Sequence, residues 1–134
     1  VPKEVSMISS KGLIIDDVLF THGHTMPSEN FSGVNTIVMG HIHPIFFQED
    51  SLVNGQRVWI SLRTKKNLLF PSSTGEIEIM VIPSFNPYFY VTQKRHYKKS
   101  ISPIIEKIKN ESIGKIITLD GTIIGNESQL PDLL

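Results

Sequence analysis

The stretch VLFTHGHTMPSENFSGVNTIVMGHIHP, from Val18 to Pro44, holds four of the five histidines of the chain, His22, His24, His41 and His43. Each histidine pair follows a short apolar run, VLFT and then TIVM, whose β-branched and aromatic residues predict a buried strand. Each run enters a glycine-flanked His-x-His segment, where the strand is expected to stop. Two strands therefore carry histidines at their carboxyl ends. In an extended chain, residues two apart point to the same side, so each pair aims both imidazoles at one point, and neighbouring strands would make the pairs converge.

Imidazole is the commonest metal ligand, and a divalent ion is the simplest means of holding several rings together without burying unpaired ring nitrogens. Gly23 and Gly40 suit such a site, because glycine permits a sharp turn and the close approach of a ligand. A single His-x-His pair is more often two ordinary surface or satisfied histidines than a metal site. Two pairs at equivalent strand ends, separated by a short loop, favour a site. His96, between QKR and YKK, reads as part of a solvated basic segment.

FTHGHTMP followed by VMGHIHP resembles the closing motifs of the calcineurin-like metallophosphoesterase superfamily, a His-Gly strand end and then Gly-His-x-His. More narrowly, SKGLIIDDVLFTHGHTMP is similar to the archaeal and bacterial branch of small phosphoesterases found alongside DNA helicases or DNA ligases. Weaker similarity extends through IPSFNPYF and LDGTIIG. The resemblance implies a phosphodiesterase or nuclease-like hydrolase whose two divalent metals promote in-line attack on a phosphate ester, with DNA or a nucleotide among the possible substrates. Manganese is the expected metal, with iron, zinc or nickel also suited to imidazole and carboxylate ligands. Carried onto this chain, His22 and His41 would bind one metal and His43 the other. His24 would stand beside them as the catalytic candidate, contacting phosphate or orienting water.

The family's earlier motifs, Asp-x-His, Gly-Asp-x-x-Asp and Gly-Asn-His followed by Asp or Glu, do not occur, and Asp16, Asp17, Asp50, Asp120 and Asp132 lack companions at the right spacing. Neutral imidazoles alone cannot offset the repulsion between two close dications. Residues 1–134, which open on Val1 in sequence that reads as mid-domain, are therefore expected to be the carboxyl-terminal part of a metallophosphoesterase domain. Its partner would be the missing amino-terminal half of the same protein. Alone, the chain is expected to be inactive or nearly so.

Composition is that of an ordinary globular protein, with 40% hydrophobic and 19% charged residues over 134 positions. Thirteen basic side chains balance thirteen acidic ones, so no general electrostatic pull toward nucleic acid exists. Without cysteine there are no disulfides or thiolate ligands. No apolar run approaches the roughly 20 residues of a membrane span, and the expected setting is cytoplasmic.

Along the chain the pattern predicts a mainly β protein with few helices, an α+β fold. VSMI reads as a strand, and GLIID with DVLFTHG as a hairpin turning at Asp16 and Asp17. TMPSENFSGV is a loop or a single helical turn, and TIVM a central strand. PIFFQED, LVNGQRVWISLR and EIEIMVIP continue as strands, with a turn at Asn54-Gly55. Trp59, Ile60 and Leu62 read as core or inter-sheet packing rather than as a base-stacking surface. LRTKKN reads as a solvated basic loop or as a phosphate-steering segment, and VTQKRHYKKS as the better backbone-contacting patch. Ser102 is expected to cap a helix begun by Pro103, with Ile104, Ile105 and Ile108 on one face. KIITLDGTIIG forms a last hairpin at Asp120-Gly121. By resemblance, the complete fold would be a two-sheet αββα sandwich with the metals at strand ends.

Two other classes fit parts of the pattern. HIHPIFFQE is similar to the His-x-His and Glu of a single-metal cupin barrel, although Glu49 lies one or two residues too far along and the second histidine segment is missing. A non-catalytic β module that binds a protein partner would use the histidines structurally.

Overall fold

The computed structural model describes residues 12–40, 42, 44–46, 56–83 and 102–129. VSMI, Asn54-Gly55 and VTQKRHYKKS lie outside them.

Asp16 and Asp17 turn the chain between β1 (Leu13–Ile15) and β2 (Val18–Thr21), which pair antiparallel. Asp16 takes a left-handed φ of 56°, a conformation aspartate tolerates better than most residues. The same turn anchors the next strand, since the Asp17 carbonyl accepts from the Asn35 amide at 2.9 Å and its carboxylate from the Asn35 side chain at 3.2 Å. Between them the loop makes a 3-10 turn at Glu29–Phe31, where the Ser28 hydroxyl accepts from the Asn30 amide.

Then come β3 (Thr36–Met39), β4 (Ile45–Phe46), β5 (Gln56–Lys65) and β6 (Glu76–Val81). The helix α1 (Pro103–Ile108) precedes β7 (Ile113–Thr118) and β8 (Ile123–Asn126). One mixed sheet runs in the order β1-β2-β3-β6-β5-β7-β8, with β4 paired to the opening of β5. As expected, β3 is central, with β2 and β6 parallel on either side.

Register gives the sheet two unlike faces. On one, Leu19, Ile37, Ile79, Leu62 and Gly114 line up across five strands, and Met39, Val81, Ile60 and Ile116 form the next row. These side chains join Ile104, Ile105 and Ile108 of α1, with Val34, Leu69 and Phe70, in a single buried cluster. Each large one contributes about 1.5–3 kcal/mol through burial. Trp59, Met80 and Ile117 lie on the opposite face, only half-buried, in a shallow cleft with Thr118, Leu119 and Gly121. That face also carries Leu13, Ile15, Phe20, Ile113 and Ile123, all exposed. Trp59 therefore does not share the core with Ile60 and Leu62, because neighbours on a strand point to opposite faces.

Two expectations change. LRTKKN is no loop: Arg63 and Lys65 end β5, and Lys66, 7% exposed, begins a 3-10 turn. Ser102 occupies the N-cap position of α1, yet its side chain makes no capping bond. Among the described residues the sheet is open and unaccompanied by a second one, and no helix is long and apolar enough to cross a membrane.

Candidate functional site

Because β2, β3 and β6 are parallel, their carboxyl ends share one edge of the sheet. Thr21 pairs with Met39 and Met39 with Val81, so His22, Gly40 and Ile82 are the next residues on three adjacent strands. Such an edge gathers ligands, since loops from separate strands converge there.

β2 stops where Gly23 adopts a φ of 96°, a left-handed conformation that ends the ladder. The His22 and His24 rings lie 5.4 Å apart between centroids, their planes tilted by 52°. It is this bend, rather than an extended His-x-His segment, that brings them together. Both side chains are exposed, while Gly23 between them is buried. The Met39 side chain fills the space beneath Gly23: an added Cβ would collide with the Met39 methyl group and stand 3.3 Å from its Cβ. The Ser102 hydroxyl donates to the Gly23 carbonyl at 2.6 Å.

After β3 the chain turns, the Ile42 amide donating to the Gly40 carbonyl at 2.8 Å. Ile42 is buried in the core, and the Pro44 carbonyl accepts from the Val58 amide at 3.2 Å. The Pro44 end of the Gly-His-x-His-Pro segment is thus tied to β5. His41 and His43 themselves lie outside the described residues, as do Glu49 and His96. Among the described residues no group of three or more His, Asp or Glu is placed to hold a metal ion. The donor chemistry at this edge, two exposed imidazoles held by a glycine bend, suits a borderline divalent cation.

Other charged groups stand elsewhere. Lys65 pairs with Glu76, the first residue of β6, so the basic end of β5 lies on the sheet edge opposite the histidines. Arg63 stands there within 3.7 Å of Glu76 and 3.6 Å of Glu78. Asp120 shares the histidine edge but sits after β7, three strands from β3, roughly 14 Å away at about 4.8 Å per strand. Its carboxylate accepts from the Thr118 hydroxyl and the Thr122 amide, and these bonds, the Thr118 side chain first, hold its pKa below the ordinary aspartate value.

Sequence reasoning missed the parts played by Ser102 and Met39. Ser102 before Pro103 signals a helix cap, and Met39 in TIVM signals core, so neither carries a local mark of contact with Gly23. Compared with protein-family models, with curated proteins and with solved structures, the chain finds no match.

Proposed function

We propose that this chain carries the histidine half of a metal-dependent phosphoester hydrolase, its two-metal site completed by acidic residues supplied from outside the chain. The observation that carries the reading is the parallel rung Thr21 to Met39, which starts both His-x-His segments from the same edge on adjacent strands. His22, His41 and His43 are the metal ligands in this reading, and His24 is the residue that contacts the substrate phosphate or orients water. Bound divalent metals, manganese foremost, supply neutralisation of the charge that develops on the phosphoryl group. The chain's own contribution is to hold imidazoles in a fixed, water-accessible arrangement and to leave His24 free of the sheet.

The open apolar face supports the matching fold proposal. Ile113 at 66% and Ile123 at 59% exposure are the kind of surface that a second sheet covers in a two-layer sandwich. That sheet would come from the same source as the missing carboxylates.

Hydrolysis of bis(p-nitrophenyl) phosphate by the intact protein in manganese tests the reading. We expect His22→Ala, His41→Ala and His43→Ala each to lower kcat by about 100-fold or more, in line with the loss of a metal that stabilises developing charge. Removal of metal with a chelator should abolish turnover, and manganese should restore it. Full activity in the His22→Ala and His41→Ala proteins would remove the basis for the proposal.

A further inference from the structure

We infer that Ser102 is a positioning residue for the candidate metal centre, its hydroxyl fixing the Gly23 bend that sets His22 and His24 against the end of β3. The inference rests on the metal-site reading above.

A serine at a helix N-cap ordinarily accepts a hydrogen bond from an amide of the first turn. Ser102 has the backbone of such a cap, φ −116° and ψ 126°, and Pro103 follows it at the start of α1. Its side chain is spent elsewhere. With Ser102 only 1% exposed, its Oγ reaches back 79 residues and donates to the Gly23 carbonyl. The peptide held in this way is the one that joins Gly23 to His24.

Gly23 is gripped from a second direction. The Met39 side chain occupies the space where any other residue would place its Cβ, and Met39 is the last residue of β3, directly before Gly40 and His41. The bend is therefore clamped between the start of α1 and the end of β3. A left-handed glycine has wide conformational freedom, and these two contacts remove it. Groups that orient metal ligands from behind typically change metal affinity by 10–100-fold when lost.

Ser112 supplies the control. Its hydroxyl is also buried and donates at 2.6 Å to a backbone carbonyl, that of Ile108, just beyond the other end of α1. It leads into β7 at the sheet edge away from the histidines. The two serines make the same kind of bond in similar burial, and only one touches the histidine bend.

The test is a titration of the intact protein with cobalt(II), followed by its visible absorption bands, alongside the thermal midpoint. Ser102→Ala should weaken cobalt binding by about 10–100-fold and alter the band intensities. Ser102→Thr, which keeps the hydroxyl, should restore most of the affinity. Ser112→Ala should lower the thermal midpoint comparably yet leave affinity within about twofold, as expected for a site that shares no partner with the histidines. Equal loss of affinity in the two serine variants, or none in Ser102→Ala, overturns the positioning role. Should Ser102→Ala not fold, Ser102→Cys, a near-isosteric weaker donor, must show an intermediate loss, and wild-type affinity there overturns the role as well. His22→Ala separates the two levels. If it binds cobalt as tightly as the wild type, the metal reading itself falls and takes the inference with it; if it loses binding while Ser102→Ala does not, only the clamp fails.

Discussion

Thr21 and Met39 stand opposite each other as the last Cα partners of the parallel pair β2 and β3. The rung makes Met39 serve two strands at once: it closes β3 and packs beneath the glycine that ends β2. Replacing that glycine should therefore be costly. Gly23→Ala combines a left-handed residue, about 1–2 kcal/mol, with a collision against Met39, and should lower the stability measured by urea unfolding by at least about 2 kcal/mol. Gly33→Ala is the counter-case: nothing lies within 4 Å of its added Cβ, so it should be neutral or stabilise by up to about 1 kcal/mol.

The two faces of the sheet predict opposite responses to the same substitution. Ile79 is fully buried between Ile37 and Leu62, and Ile79→Ala should cost about 2–5 kcal/mol by transfer and cavity terms together. Ile113→Ala, on the open face, should change the stability of the isolated chain by less than about 0.5 kcal/mol. Similar losses at both positions in chemical denaturation of the isolated chain would mean that the open face is covered after all.

Arg63 lies between Glu76 and Glu78 with more than half of its side chain exposed, at 57%. Exposed pairs of this geometry are worth about 0–1 kcal/mol and are screened by salt. Arg63→Ala should accordingly shift the urea midpoint slightly at low ionic strength and hardly at all in 1 M salt. The proposed phosphoesterase activity of the intact protein should be untouched, because this group lies on the edge away from the histidines.

Asp120 links stability to pH. Its folded pKa is depressed by the Thr118 hydroxyl and the Thr122 amide, so its contribution is present above the unfolded aspartate value of about 3.9 and is lost as pH falls through the lower folded value. A carbon NMR titration of the Asp120 carboxyl group should show a midpoint below that of an ordinary aspartate. Thr118→Val, which deletes the leading donor, should move the midpoint upward. No upward movement would mean that the Thr118 bond does not set the shift.

Local chemistry made much of this fold legible. Asp16-Asp17 and Asp120-Gly121 announce their hairpins because turn residues act on their own backbone, and Pro103 with three isoleucines announces α1. The strand ends that precede the two histidine pairs were legible for the same reason, since VLFT and TIVM name where each strand finishes. Pairing was not legible in that way. Nothing within EIEIMV selects β3 as its parallel neighbour; that choice comes from burying Ile77, Ile79 and Val81 against one shared core. Lys65 and Lys66 looked like solvated loop because charge was weighed, whereas register carries one along β5 and folds the other under the next turn. The clamp on Gly23 needed both ends of a long separation to be seen together.

That separation bears on biosynthesis. A contact that joins positions 79 residues apart is entropically late, because the intervening chain must close before the bond can form. A growing chain that has released His22 and His24 from the ribosome still lacks Ser102 and the helix α1 that follows it. Of the two contacts described at the bend, the one with Met39 can form by then and the one with Ser102 cannot. In the proposed metal site, the full clamp on the histidine bend would thereby be deferred until Ser102 has emerged and joined Gly23.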